Sequence, residues 1–194
     1  MMQNKKTIGI TGAGGSLGKA LTKKFRSHGH KIIGFTHNRK PLELVEEGPN
    51  EWVYWECGKE FLLENSLSKI DILILNHGIY NYQQDLEKSI EINATSKIII
   101  LKLFEKISLS QSIESSPKEI WINTSEAEIL PALNPCYEIS KSLIGQVVTF
   151  KRNFNNQNKS RNLIIKKIIL GPFKSDLNPI GIMSPESVAS LIFY

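Results

Sequence analysis

Two side chains in the stretch NPCYEISKSLIGQ, residues 134–146, are of types and at a spacing that could move a proton. Tyr137 stands four residues before Lys141, and the apolar spacing that follows predicts a helix on which the two share a face. A phenol in water ionises near ~10, while general acid–base work favours ~7, a gap of roughly 4 kcal/mol. One ammonium about 4 Å away supplies ~4 kcal/mol at an effective dielectric near ~20. A tyrosine beside a lysine could therefore act as a general acid and base. The same pair on a solvated helix face would be an aromatic beside a cation, so its meaning depends on what the rest of the chain builds around it.

A second feature could hold phosphate. TGAGGSLG, residues 11–18, lies between an apolar run and a stretch of helical spacing. Gly12, Gly15 and Gly18 would let the chain turn sharply, bring backbone close to a diphosphate and pack helix on strand. The next apolar run ends in GFTHNRK, with no acidic residue before Glu43. An acidic residue there would select the ribose hydroxyl of NAD, whereas Thr36, His37, Asn38, Arg39 and Lys40 offer polar and cationic partners to a 2′-phosphate. NADP(H) is therefore expected over NAD(H).

The elements that must carry these groups alternate. Strands are expected at 6–11, 31–36, 51–56, 71–76, 119–125 and over LIIKKIIL, with helices after the glycine turn, over SIEINATSKIIILKLFEKI, from Cys136 onward, and from Pro185 behind a Ser184 cap. DILILN is apolar throughout, as in a strand buried on both faces. This order predicts an α/β fold, a doubly wound parallel sheet with helices on both faces, forming one domain over 1–194.

Composition narrows the function classes. A 41% hydrophobic content and a net charge of +5 are those of a globular protein, with no basic stripe for nucleic acid. The longest apolar runs fall short of the ~20 residues that span a bilayer, so no membrane partner is expected and the location reads as cytoplasmic. Cys57 and Cys136 are isolated from each other, as in a reducing compartment. The histidines supply no metal set, and no metal is expected; His77 reads as a loop residue.

Taken in order, TGAGGSLG, DILILNHG (71–78), EIN (91–93), INTS (122–125), YEISK (137–141) and LGPFKSDL (170–177) resemble the landmarks of the short-chain dehydrogenase/reductase family. The resemblance implies a Rossmann-like sheet with Gly12, Ser16, Leu17 and Gly18 on the pyrophosphate, and Glu56 and Cys57 near the adenine. It also implies Asn76 and Gly78 by the adenine ribose and Gly171–Pro172 beside the nicotinamide. Asn93, Ser125, Tyr137 and Lys141 match the catalytic four, with Asn93 holding a water that links Lys141 to solvent. Ser125 lies one residue closer to Tyr137 than is usual, which leaves Thr124 as the alternative hydroxyl.

The glycine spacing is closer to the larger, extended members, and members usually run further past the last strand, so the fold reads as C-terminally short. Lys166 and Lys167 would then guard an edge strand. The activity implied is NADP(H)-dependent hydride transfer at a small carbonyl or alcohol, by a homodimer or homotetramer. The alternatives are a nucleotide-binding sensor of the same fold and a sugar-nucleotide epimerase or dehydratase.

Overall fold

The computed structural model describes residues 5–38, 48–80, 83, 85–112, 115–157 and 162–194. Six strands, β1 (Thr7–Thr11), β2 (Lys31–Thr36), β3 (Glu51–Tyr54), β4 (Ile72–Leu75), β5 (Lys118–Ser125) and β6 (Leu163–Leu170), form one sheet in the order β3-β2-β1-β4-β5-β6. Every pairing is parallel. The winding reverses between β1 and β4, and at such a reversal the loops leaving neighbouring strands diverge and open a crevice.

Side chains alternate along each strand and so feed two cores. On one face Ile8, Ile10, Ile32, Ile72, Ile74 and Trp121 pack under helices α1 (Ser16–Ser27) and α6 (Pro185–Phe193). Phe193 of α6 meets Phe25 of α1 with ring centroids 5.3 Å apart. On the other face Ile33, Phe35, Leu73, Leu75, Ile120 and Ile122 pack under α2 (Glu64–Ser68), α4 (Ser96–Leu109) and α5 (Pro135–Gln157). The expected helix before β5 runs as α3 (Leu86–Ile90), a π-helical turn (Glu91–Thr95) and α4 without a break. Asp85 caps it, its side chain accepting from the Lys88 amide at 3.0 Å. Ser184 caps α6 in the same way, accepting from Ser187 at 3.1 Å.

Two local expectations change. β3 stops at Tyr54, short of the expected residue 56, while Trp55 still packs inward at 5% exposure on the same side as Val53. The segment after it, without a periodic signal, forms a 3₁₀ turn (Glu60–Leu63) and α2, which bury Leu63 and Leu67. The lysines of β6 point to opposite faces and are held in ion pairs. Lys166 reaches Glu119 at 2.9 Å, and Lys167 reaches Glu128 at 2.7 Å and Thr149 at 3.0 Å.

Glu119 is the electrostatic knot of the sheet, bonded to Lys6 at 3.0 Å, Lys166 at 2.9 Å and the Trp121 indole at 3.0 Å. Partial burial opposes its ionisation, but Lys166, Lys6 and Trp121 outweigh it and hold the carboxyl at about 2. A carboxyl lowered on folding contributes stability that is full above its unfolded value of 4.5 and is lost as pH falls toward about 2. In urea unfolding across that window, the native protein should lose more of its midpoint than Glu119→Gln, and the gap between the two should close at the acid end. A gap that stays constant with pH would contradict this role.

Candidate functional site

The glycine turn is built by close approach. Gly12 sits at φ 66, and a Cβ there would lie 2.9 Å from the Cα of His77. A Cβ on Gly18 would lie 2.1 Å from the carbonyl oxygen of Gly12, so α1 can begin this close to β1 only with glycine at that position. Leu17 packs into the core at 3% exposure. Leu17 and Gly18 therefore shape the turn from behind, while Gly12, Gly15 and Ser16 line a cavity of about 870 Å³ together with Thr36, His37 and Asn38.

At the start of α1, Gly15 stands in the cap position with no side-chain hydrogen bond, and the first turn holds no acidic residue. Among the described residues its leading amides thus have no side-chain cap, and the residues present fit a diphosphate. Arg39 lies outside the described residues. Glu56 and Cys57 do not line this cavity. The Glu56 carboxylate pairs with Lys59 at 2.9 Å and with the Tyr54 hydroxyl. Cys57 packs against the core, and burial pushes its thiol up.

Beside it a second cavity, of about 550 Å³, is lined by Asn76, Gly78, Ser125, Tyr137, Lys141, Gly171 and Pro172. Tyr137 lies in the first turn of α5, its amide donating to the Asn134 side chain at 3.1 Å. One turn on, Lys141 is 6% exposed, with Nζ 5.2 Å from the centre of the Tyr137 ring. Tyr80 packs on the same ring at 5.1 Å and donates to the Ala132 carbonyl at 3.3 Å. Ser125 accepts from the Ala127 amide at 3.2 Å, which leaves its own proton available on the cavity wall. Thr124 is 2% exposed, and its hydroxyl donates to Glu128 at 3.0 Å. Both residues line the cavity, and they differ in their protein partners: the Thr124 hydroxyl donates to Glu128, while Ser125 Oγ accepts from Ala127.

Asn93 is fully buried within the π-helical turn and lines neither cavity. Its Oδ1 accepts from the Ile79 amide at 2.9 Å, and its Nδ2 donates to the Ile79 carbonyl and the Ser140 hydroxyl, each at 3.0 Å. Its side-chain amide is thus engaged by protein groups. It fixes the loop after β4 against α5, one residue from Lys141. A Cβ on Gly78 would stand 2.8 Å from Asn93 Oδ1 and 3.3 Å from Lys141 Nζ, which measures how closely the three meet.

Two basic groups behind the site were not expected there. His77 is buried, with Nδ1 2.8 Å from Thr11 Oγ1 and its ring edge-on to Trp55 at 4.9 Å. Burial, with Lys97 and Lys141 adding, holds its imidazole well below the ordinary range. Lys97 is 1% exposed, and its Nζ donates to the Asn123 carbonyl at 2.9 Å. Burial, with Lys141 adding, pushes its amine well below the usual lysine range. The signal for Lys97 lay in its register: Asn93, Lys97, Ile100, Leu101 and Phe104 form one inward stripe.

An amine lowered on folding binds fewer protons in the folded chain, so stability should rise with pH up to the unfolded lysine value of ~10.4. Lys97→Met should remove the penalty, raising the thermal midpoint at neutral pH and flattening that alkaline rise. A variant with the native slope would show that Lys97 carries no such strain.

No protein-family model matches the chain. Over 191 residues, 95% of its length, it is 38% identical to the monoglucosyldiacylglycerol epimerase of Synechocystis sp., and it spans 45% of that protein, a little under half. Among solved structures, a short-chain dehydrogenase from Burkholderia cenocepacia in complex with NADP superposes with a TM-score of 0.79 at 14% identity, covering 96% of this chain and 82% of that one. BdcA in complex with NADPH gives 0.79 at 19% identity, covering 100% and 87%. An oxidoreductase of the short-chain dehydrogenase/reductase family from Burkholderia thailandensis gives 0.80 at 16%, covering 98% and 85%. With its six-stranded parallel sheet reversing at β1 and β4, the chain is built on the short-chain dehydrogenase/reductase fold.

Proposed function

We propose that the chain is an NADP(H)-dependent enzyme of the short-chain dehydrogenase/reductase family, transferring hydride at a carbinol or carbonyl carbon. The observation that carries this reading is the buried Lys141 ammonium held over the Tyr137 ring, with Ser125 on the wall of the same cavity. When bound, the dinucleotide supplies a hydride acceptor or donor. Gly12, Gly15 and Ser16 hold its phosphates against the start of α1, Asn76 and Gly78 flank a ribose, and Gly171 and Pro172 run beside the nicotinamide. Thr36, His37 and Asn38 bring no carboxylate to the end of β2, which supports the 2′-phosphate form.

The remaining chemistry belongs to the chain's own residues. Tyr137 takes the proton from a substrate hydroxyl during oxidation and returns it to the carbonyl oxygen during reduction. Lys141 places positive charge where the phenol oxygen becomes negative, and Ser125 donates to the substrate oxygen as charge develops there. Asn93 positions Lys141 through Ile79 and Ser140. Exposed Ile99 on α4, with Leu143 and Phe150 on α5, supports a homodimer or homotetramer through those helices.

The Synechocystis relative favours a second reading within the same chemistry. A sugar carbinol oxidised to a ketone and reduced again on its opposite face is epimerised without net redox change. The proton that Tyr137 removes in the first half goes back in the second. The substrate would then be a sugar carried on a lipid, and the cofactor would be regenerated in each cycle.

Tyr137→Phe should lower turnover at least ~10²-fold, on a carbonyl panel or on monoglucosyldiacylglycerol, while NADPH affinity measured by fluorescence stays close to native. NADPH should bind about tenfold or more tightly than NADH, a difference of ~1.4 kcal/mol. Epimer formation without NADPH consumption would choose the second reading. Binding without turnover on any substrate would favour a sensor, and absence of dinucleotide binding would overturn both enzyme readings.

A further inference from the structure

The two loops that wall the Tyr137 cavity carry aliphatic side chains left in water. Leu133 is 92% exposed, Ile180 91% and Ile182 88%, with Ile129 at 75%, Leu130 at 56% and Leu177 at 46%. They come from two separate loops, 129–134 after β5 and 171–183 after β6. Leu133, Leu177 and Ile180 also line the cavity, so rim and site are continuous. Scattered exposed aliphatics are ordinary; six within the two loops that wall one cavity, three of them on its lining, are more than scatter. Leu133 also has φ 58, a backbone region disfavoured for a residue with a side chain.

The cavity is graded from end to end. Buried Lys141, with Tyr137, Ser125 and Asn76, gathers at the ends of the strands, and the aliphatic groups stand at the outside. This gradient suits an amphiphile that enters polar end first and leaves its apolar part outside. The rim carries little net charge. Residues 129–134 have no charged side chain, and 171–183 have Lys174 and Asp176, of opposite sign. Contact with a lipid surface would therefore rest on apolar burial and not on attraction to anionic headgroups.

Resting on the glycolipid reading above, we propose that this rim docks on the surface of a lipid bilayer. A lipid-borne sugar then reaches Tyr137 while its acyl chains remain in the membrane. Vesicles of phosphatidylcholine alone are the direct probe, in a flotation assay at low and high salt. The native protein should float with the vesicles at both salt concentrations, because screening acts on charge and not on apolar contact. Leu133→Ser/Ile180→Ser/Ile182→Ser should reduce the partition at least ~tenfold. Ile99→Ser/Phe150→Ser, on the α4–α5 face, should not.

Thermal midpoints of both variants check that each is folded. Failure of the native protein to float, or equal flotation of the triple variant, overturns the proposal. Loss of self-association by the triple variant in sedimentation without lipid would instead make the rim a contact between copies. Tyr137→Phe should float like the native protein, so membrane docking and the proposed chemistry can fail independently.

Discussion

The site depends on one buried amide. Asn93 holds both polar groups of the Ile79 peptide and the hydroxyl of Ser140, and so joins the loop after β4 to the first turns of α5. Each such bond contributes about 1 kcal/mol net, and leaving its buried partners unmade costs about 1–3 kcal/mol each. Ser140 in turn donates to the Tyr137 carbonyl at 2.8 Å, so the same chain of bonds runs through the residues beside both functional side chains. The π-helical turn that contains Asn93 is a local departure from regular helix, and such turns recur where a side chain must be aimed.

The interior behind this clamp is basic. His77, Lys97 and Lys141 influence one another, and among the described residues no carboxylate lies within ion-pair distance of either lysine. The carboxylate on the other side of β5's end, Glu128, is paired with Lys167. An interior arranged in this way disfavours extra protons and favours negative charge arriving from the cavity. A substrate oxygen losing its proton would bring such charge. Of these basic groups, Lys141 is the one that lines the cavity with Tyr137, its Nζ 5.2 Å from the ring centre.

Much of this was legible in the chain because it rests on short-range periodicity. The continuous apolar run of Ile72–Leu75 marked a strand buried on both faces, and the i, i+4 spacing of Tyr137 and Lys141 placed both on one helix face. The glycine turn was readable because close backbone approach demands glycine. Other features depend on tertiary packing. Lys97 has the residue type of a solvated helix face, and only its register with Ile100 and Phe104 betrays its burial. His77 follows a strand in a loop-like context and turns inward because Thr11 and Trp55 receive its ring. The contact that distinguishes Thr124 from Ser125 comes from Glu128, four residues from Thr124 and folded back on it by a 3₁₀ turn that carries no periodic signature. The aliphatic rim lies in loops, where spacing does not indicate which way a side chain faces.

The most direct measurement is a crystal structure with NADPH bound. The account predicts the diphosphate against Gly12–Ser16, and the nicotinamide between Tyr137 and Gly171–Pro172, with the Tyr137 hydroxyl turned toward the ring and Lys141 still held behind it. A nicotinamide placed away from Tyr137, or a hydroxyl turned away from it toward Ala132, would contradict the central claim.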